Sequence, residues 1–132
     1  TAALEMGAHH TLNSLNETDI EAASGQFDLI ISTVNVTLDW NLYISTLSAK
    51  GRLHFVGATL EALDINVFPL IMGQRSISGS PVGSPQTIAK MLEFVDLHKI
   101  KPVIEVFKFD EVNQAIAKLR EGNVHYRVVL CQ

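Results

Sequence analysis

The sequence predicts an α/β fold built on a doubly wound parallel sheet, and three observations support this prediction. Residues 27–34 form a nearly continuous apolar run rich in β-branched side chains, which is typical of a strand covered on both faces. The same pattern returns at residues 53–56. Between the two runs, residues 39–49 carry apolar side chains at helical spacing, and Lys50 and Gly51 follow as a cationic last turn and a stop. Two buried strands joined by one helix run in the same direction.

The segments before this crossover predict less regular structure. Residues 1–7 are typical of the last turns of a helix that ends at Gly7, and no start of that helix precedes them. We therefore expect the sequence to be a piece of a longer chain. Residues 9–13 predict a short strand, and residues 16–24 predict a polar helix that ends before Gly25.

The segments after the crossover continue the alternation of strands and helices. Residues 63–69 predict a loop, and the alternation in residues 76–80 predicts a third parallel strand at the sheet edge. Ser84 followed by Pro85 predicts the start of an amphipathic helix. The remainder predicts a strand at residues 103–109, a helix capped by Asp110 and a strand at residues 127–130.

Composition restricts the class of protein. The 132 residues are 47% hydrophobic, which excludes disorder, and the net charge is −4 with scattered basic residues, which argues against nucleic acid as a partner. The sequence has neither an apolar run long enough to span a bilayer nor the pattern of a signal peptide, so we expect no membrane partner and a cytoplasmic location. The single cysteine, Cys131, cannot form an internal disulfide. His9 and His10 point to opposite faces of the predicted strand and cannot share a metal ion.

Five phrases in order carry a resemblance to a known family. They are residues 2–8, residues 27–34, residues 53–57, the pattern Ile-x-Gly-Ser-x-x-Gly-Ser at residues 77–84, and Tyr-Arg-Val-Val at residues 126–129. The chain resembles the C-terminal part of a zinc-dependent medium-chain alcohol dehydrogenase, in the cinnamyl alcohol dehydrogenase branch. The resemblance implies a partial Rossmann domain that lacks its first two strands, over residues 1–101. Residues 102–132 are then a strand-helix-strand segment associated with a catalytic domain.

The resemblance also implies a set of cofactor-binding residues at the ends of the strands. They are Thr33 and Val34 for the nicotinamide ribose, Val56, Gly57 and Ala58 for the nicotinamide, Ser80 and Val82 for its carboxamide, and Arg127 for the pyrophosphate. Physical reasoning agrees for the first two groups, since ligands bind at the carboxyl ends of parallel strands and a glycine permits close approach of a ring. A guanidinium suits phosphate, although a surface ion pair is the alternative for Arg127.

The activity that the resemblance implies is the interconversion of a primary alcohol and an aldehyde, with hydride transfer to or from NADP(H) or NAD(H). The Gly-rich phosphate turn and the ligands of the catalytic zinc do not occur in this sequence, so zinc belongs to the full-length parent and we expect the chain alone to be inactive. Two alternatives stay open, a zinc-free quinone oxidoreductase of the same superfamily and a non-catalytic dimerising fragment. We expect a homodimer through the edge near residues 74–83.

Overall fold

The computed structural model describes residues 2–132 and contains two compact units, one that reaches to Val82 and one from Gly83 to Gln132. The predicted division at residue 101 concerns association with a further domain and stays a prediction.

The first unit is a parallel sheet with helical crossovers. Its elements are α1 (Ala2–Glu5), α2 (Glu17–Glu21), β1 (Phe27–Ser32), α3 (Trp40–Ser45), β2 (Leu47–Phe55), α4 (Val67–Gly73) and β3 (Ser76–Gly79). The three strands run parallel in the order β1-β2-β3. The predicted crossover and the predicted third strand at the sheet edge are therefore confirmed. The predicted helix end at Gly7 is confirmed as well, since Gly7 has a φ of 100°, while the predicted first residue, Thr1, lies outside the described residues.

The predicted helix over residues 39–49 is wrong at its end, because α3 stops at Ser45 and β2 begins at Leu47. The Thr46 hydroxyl donates to the carbonyl oxygen of Tyr43 at 2.7 Å, a local hydrogen bond that competes with helical pairing. Leu47 is fully buried and pairs with Phe27, so burial in the sheet outweighs the helical spacing. Lys50, with a φ of 64°, lies inside β2 near an irregularity in the pairing of β1 with β2.

The predicted strand at residues 9–13 is wrong, since residues 8–13 have no regular secondary structure. A strand needs a neighbour that satisfies its backbone groups, and the described residues offer these none. β1 forms an open edge of the sheet, because within the described chain it pairs only with β2.

The predicted loop at residues 63–69 is wrong in part, because α4 begins at Val67. Pro69 is the third residue of this helix, and a proline is tolerated in the first turn because the amide that it lacks would have no partner within the helix. Gln74 ends the helix in the left-handed conformation, with a φ of 50°. The proline therefore indicates a helix start here.

The core of the first unit lies between α3 and one face of the sheet. Trp40, Ile44, Leu47 and Leu53 form the buried cluster. The Trp40 ring meets Phe55 edge-on, with the ring centroids 4.8 Å apart. On the opposite face of β1, Leu29 and Ile31 are 54% and 57% exposed, so the prediction that this strand is covered on both faces is wrong for the described chain.

The second unit is the predicted strand-helix-strand preceded by a helix. It contains α5 (Pro85–Leu97), β4 (Ile104–Lys108), a 3₁₀ turn (Phe109–Glu111), α6 (Val112–Arg120) and β5 (Arg127–Cys131), and β4 and β5 are parallel. Ser84 caps α5 as predicted, since its hydroxyl oxygen accepts from the Thr87 amide at 3.2 Å. The predicted cap at Asp110 is wrong. Asp110 lies inside the 3₁₀ turn, where the Glu111 carboxylate accepts from the Lys108 amide at 2.8 Å.

Candidate functional site

The carboxyl ends of the three parallel strands meet at one edge of the first unit. Thr33 and Val34 directly follow β1, and residues 56–58 follow β2. Ser80 and Val82 follow β3 in the same way. The structure therefore brings every predicted cofactor residue of the first unit to the edge where ligands bind in open α/β sheets. Arg127 is the first residue of β5 and belongs to the second unit.

Gly57 lies against the end of β1. The Val56 and Gly57 amides both donate to the carbonyl oxygen of Ser32, at 2.9 and 3.1 Å. A Cβ at position 57 would lie 2.4 Å from the Val34 carbonyl oxygen and 2.6 Å from the Thr33 carbonyl. The sequence reasoning attributed this glycine to the approach of a planar ring. The structure gives an internal reason, which is the close packing of two strand ends.

The two loops that follow β1 and β2 enclose an open groove of about 400 Å³. It is lined by Asn35, Val36, Thr37, Thr59, Leu60 and Glu61. The Thr37 hydroxyl donates to the Glu61 carboxylate at 2.5 Å, so one hydrogen bond joins the two loops. The groove offers both apolar side chains and polar groups, a mixture that is typical of small-molecule sites.

Asn41, in the first turn of α3, fixes the far end of the second loop. Its side-chain amide nitrogen donates to the Asp64 carbonyl oxygen at 2.9 Å, and its side-chain oxygen accepts from the Asn66 amide at 2.8 Å. Both halves of one amide are thus satisfied by the backbone that enters α4. Sequence reasoning missed this contact, because nothing in the spacing of residues 41 and 64–66 indicates it.

A polar ladder crosses from β2 to β3 on the sheet face opposite α3. His54 pairs in register with Ser78, and its Nδ1 lies 2.8 Å from the Ser78 hydroxyl oxygen, while its Nε2 lies 2.9 Å from that of Ser80. Both ring nitrogens of His54 are therefore satisfied by serine hydroxyls. Its contact with Ser80 was not predicted. The alternation of hydroxyls at Ser76, Ser78 and Ser80 is the sequence signal that could have indicated it.

Glu105 and Arg127, which both belong to the second unit, differ in whether they have a charged partner. The ion pairs among residues 2–132 are Lys99–Asp96 and Lys118–Glu105, and neither involves Arg127. Hydrogen bonds from the Lys118 ammonium and the His125 amide lower the pKa of the Glu105 carboxyl against an opposing desolvation effect. Glu105 therefore has a structural role, and the exposed Arg127 has no charged partner within the described part of the chain.

Over residues 2–132 no three His, Cys, Asp or Glu side chains lie close enough together to bind a metal ion. None of the helices described is long and apolar enough to cross a bilayer.

Known proteins resemble this chain in both sequence and fold. The family model described as zinc-binding dehydrogenase matches residues 1–96. The aldehyde reductase AdhA of Synechocystis is 64% identical over 130 residues, which are 98% of this chain and 39% of that protein. A cinnamyl alcohol dehydrogenase structure from Sorghum bicolor superposes with a TM-score of 0.88 at 32% identity, and covers 98% of this chain and 36% of its own. The CAD of Helicobacter pylori, solved in complex with NADP(H), gives a TM-score of 0.76 at 28% identity, with coverages of 98% and 37%.

The matched region of these proteins includes both the parallel sheet and the strand-helix-strand, so the predicted fold class is confirmed. The chain spans about two-fifths of the length of the relatives that it matches. Because the family model covers most of the residues, from the first helix to α5, the chain belongs to the zinc-binding dehydrogenase family.

Proposed function

We propose that this chain supplies the nicotinamide-binding edge of an oxidoreductase that interconverts a primary alcohol and an aldehyde. The observation that carries the proposal is that three parallel strands end at one edge of the sheet, where the loops after β1 and β2 enclose an open groove. The relatives named aldehyde reductase and cinnamyl alcohol dehydrogenase support the substrate class. The NADP(H) complex of a relative with 28% identity supports NADP(H) as the cofactor.

The groups at this edge fit a nicotinamide ribose. The exposed Thr33 follows β1, and the exposed Ala58 lies beyond Gly57 on the neighbouring loop. Two further exposed residues, Ser80 and Val82, offer a hydroxyl and an apolar surface after β3. Val34 packs on the core cluster through its side chain, so its contribution is the position of its backbone. A bound nicotinamide would donate or accept the hydride, and these residues would hold its ring and carboxamide.

Arg127 is proposed to bind the pyrophosphate of the cofactor. Its guanidinium is exposed and takes no part in the ion pairs of the described residues. Such a group can bind phosphate oxygens with paired hydrogen bonds.

The catalytic zinc that the family implies does not fit the described residues, because they contain no cluster of suitable ligands. We assign the zinc ligands to the remainder of a longer cytoplasmic protein. In that protein residues 102–132 would associate with the catalytic domain, as the strand-helix-strand of the second unit suits a separate small sheet.

A second copy of the chain is the partner that the first unit fits best. β3 pairs on one side only within the described residues, so its other edge carries free backbone groups. On the preceding helix, Val67, Phe68, Ile71 and Met72 are each at least 62% exposed. We define these four side chains as the α4 patch. An exposed apolar patch and an open strand edge are both typical of a self-complementary interface.

Mapping of NADPH binding on the isotopically labelled chain tests this function. We expect amide shifts at residues 33–36, 56–58 and 80–82 on addition of NADPH, with smaller changes in the Arg127→Ala variant. Shifts confined to other regions, or equal responses of the two proteins, would contradict the assigned site or the role of Arg127 respectively.

A further inference from the structure

His54 connects two serine hydroxyls that lie two residues apart on the neighbouring strand. The distances from the ring nitrogens to the Ser78 and Ser80 hydroxyl oxygens are 2.8 and 2.9 Å, so both ends of the ring form hydrogen bonds. Ser80 is also held by its backbone, since its amide donates to the Phe55 carbonyl oxygen at 3.1 Å. The Ser80 hydroxyl is therefore fixed at the site edge by β2.

The chemistry of imidazole makes the two hydrogen bonds unlike. A neutral ring has one nitrogen that donates and one that accepts. One serine hydroxyl therefore accepts a hydrogen bond from His54, and the other donates a hydrogen bond to it. If Nε2 accepts from Ser80, the Ser80 proton is occupied and its oxygen presents only lone pairs to a ligand at this edge of the sheet.

We propose that His54 is a positioning residue that makes Ser80 a hydrogen-bond acceptor for the carboxamide N–H of nicotinamide. In this arrangement Nδ1–H donates to Ser78, and Nε2 accepts from the Ser80 hydroxyl. The backbone amides of Val56, Gly57 and Ser80 are already bonded to carbonyl oxygens within the sheet, which leaves the Ser80 hydroxyl as a side-chain polar group at these strand ends that can meet the carboxamide. The inference rests on the proposed function and extends it to a choice between carboxamide and carboxylate ligands.

The test compares two probes that differ at this one group, nicotinamide mononucleotide and nicotinic acid mononucleotide. Their affinities for the full chain are measured by NMR titration. We expect the unmodified chain to bind the carboxamide probe more tightly than the carboxylate probe. In His54→Leu and Ser80→Ala, the ratio of the two affinities should fall by about 2- to 10-fold. Ser76→Ala is the matched control, because Ser76 accepts from Arg52 on the same ladder at 3.4 Å and has no bond to His54. Its ratio should equal that of the unmodified chain.

A second readout follows the ring itself. Long-range nitrogen-proton spectra should show the His54 proton on Nδ1, and addition of nicotinamide mononucleotide should shift the Nε2 signal in the unmodified chain but not in Ser80→Ala. A purely structural role of His54 would leave that signal unmoved. If His54→Leu does not fold, Ser80→Ala at an exposed position still carries the affinity test.

The outcomes separate the inference from the function on which it rests. A proton on Nε2, or the same probe ratio in all variants, overturns the inference and leaves the nicotinamide site standing. Failure of the unmodified chain to bind either probe overturns the proposed function together with the inference.

Discussion

Gly57 is the glycine at which the structure leaves the least room for a side chain. A Cβ added there would meet the Val34 carbonyl oxygen at 2.4 Å and the Thr33 carbonyl oxygen at 2.6 Å, and both are backbone atoms that cannot rotate away. We expect Gly57→Ala to lower the free energy of unfolding by about 1–3 kcal/mol, the usual cost of overpacking. Urea unfolding of the purified chain measures this change.

Gly79→Ala is the matched control for that substitution. A Cβ at Gly79 would lie 3.2 Å from the Phe55 carbonyl oxygen, a tight contact that a small shift relieves. We expect a loss below about 1 kcal/mol. Equal effects of the two substitutions would show that the strand ends do not pack as described.

Glu105 gives a prediction about pH. Its pKa is lowered in the folded chain, chiefly by the hydrogen bond from Lys118, so the ionised carboxylate stabilises the folded state. This stabilisation is complete above the ordinary carboxyl pKa and is lost as the pH falls through the lower folded value. We therefore expect Glu105→Gln to be less stable than the unmodified chain at pH 7, and the difference to shrink in acid.

Urea midpoints measured between about pH 7 and pH 3 test this dependence. Glu93→Gln, at an exposed position on α5 outside the ion pairs of the described residues, is the matched control for the removal of one carboxylate. A gap for Glu105→Gln that is independent of pH would contradict the role of its charge.

At the scale of elements, Asn41 connects α3 to the start of α4. We expect Asn41→Leu to accelerate hydrogen exchange of the Asn66 amide, because this amide loses its acceptor at 2.8 Å. Asn41→Asp keeps an acceptor oxygen for Asn66 and loses only the donor to Asp64, so it should protect the Asn66 amide better than leucine does. Identical exchange in both variants would show that Asn41 does not hold this junction.

The elements show what the sequence could predict and what it could not. The parallel crossover and the Ser84-capped helix were predictable, because apolar runs and caps are local signals. The end of α3 was not predictable, because the helical spacing continues past Ser45, whereas the sheet buries Leu47 as part of β2. The strand predicted at residues 9–13 failed because pairing depends on a neighbour, which no local pattern reveals.

The location of the candidate site was predictable from the sequence, but its side-chain contacts were not. Once the strands are predicted, their ends follow, and this placed Thr33, Gly57 and Ser80 at one edge. Sequence patterns do not predict which side chains meet across neighbouring strands. The contact between His54 and Ser80 was therefore not predicted. Only the register of β2 and β3 brings these two groups together.

At the scale of the whole molecule, the α4 patch predicts self-association. We expect the unmodified chain to form a dimer in light scattering coupled to size exclusion, and Phe68→Lys to shift it toward the monomer, because Phe68 is 72% exposed within the patch. Leu15→Lys is the control, at an apolar residue that is even more exposed and lies outside the patch and the β3 edge. A dimer that Leu15→Lys disrupts and Phe68→Lys does not would place the interface elsewhere.

The most direct test of the central claim is an exchange of this chain into the Synechocystis aldehyde reductase, in place of the 39% of that protein which it matches. The hybrid is assayed for NADPH-dependent reduction of benzaldehyde. If the chain supplies the nicotinamide-binding edge, the hybrid should turn over within about tenfold of the unmodified reductase, since the two proteins are 64% identical over the exchanged region. A hybrid that folds and retains zinc but has no NADPH-dependent activity would contradict the claim.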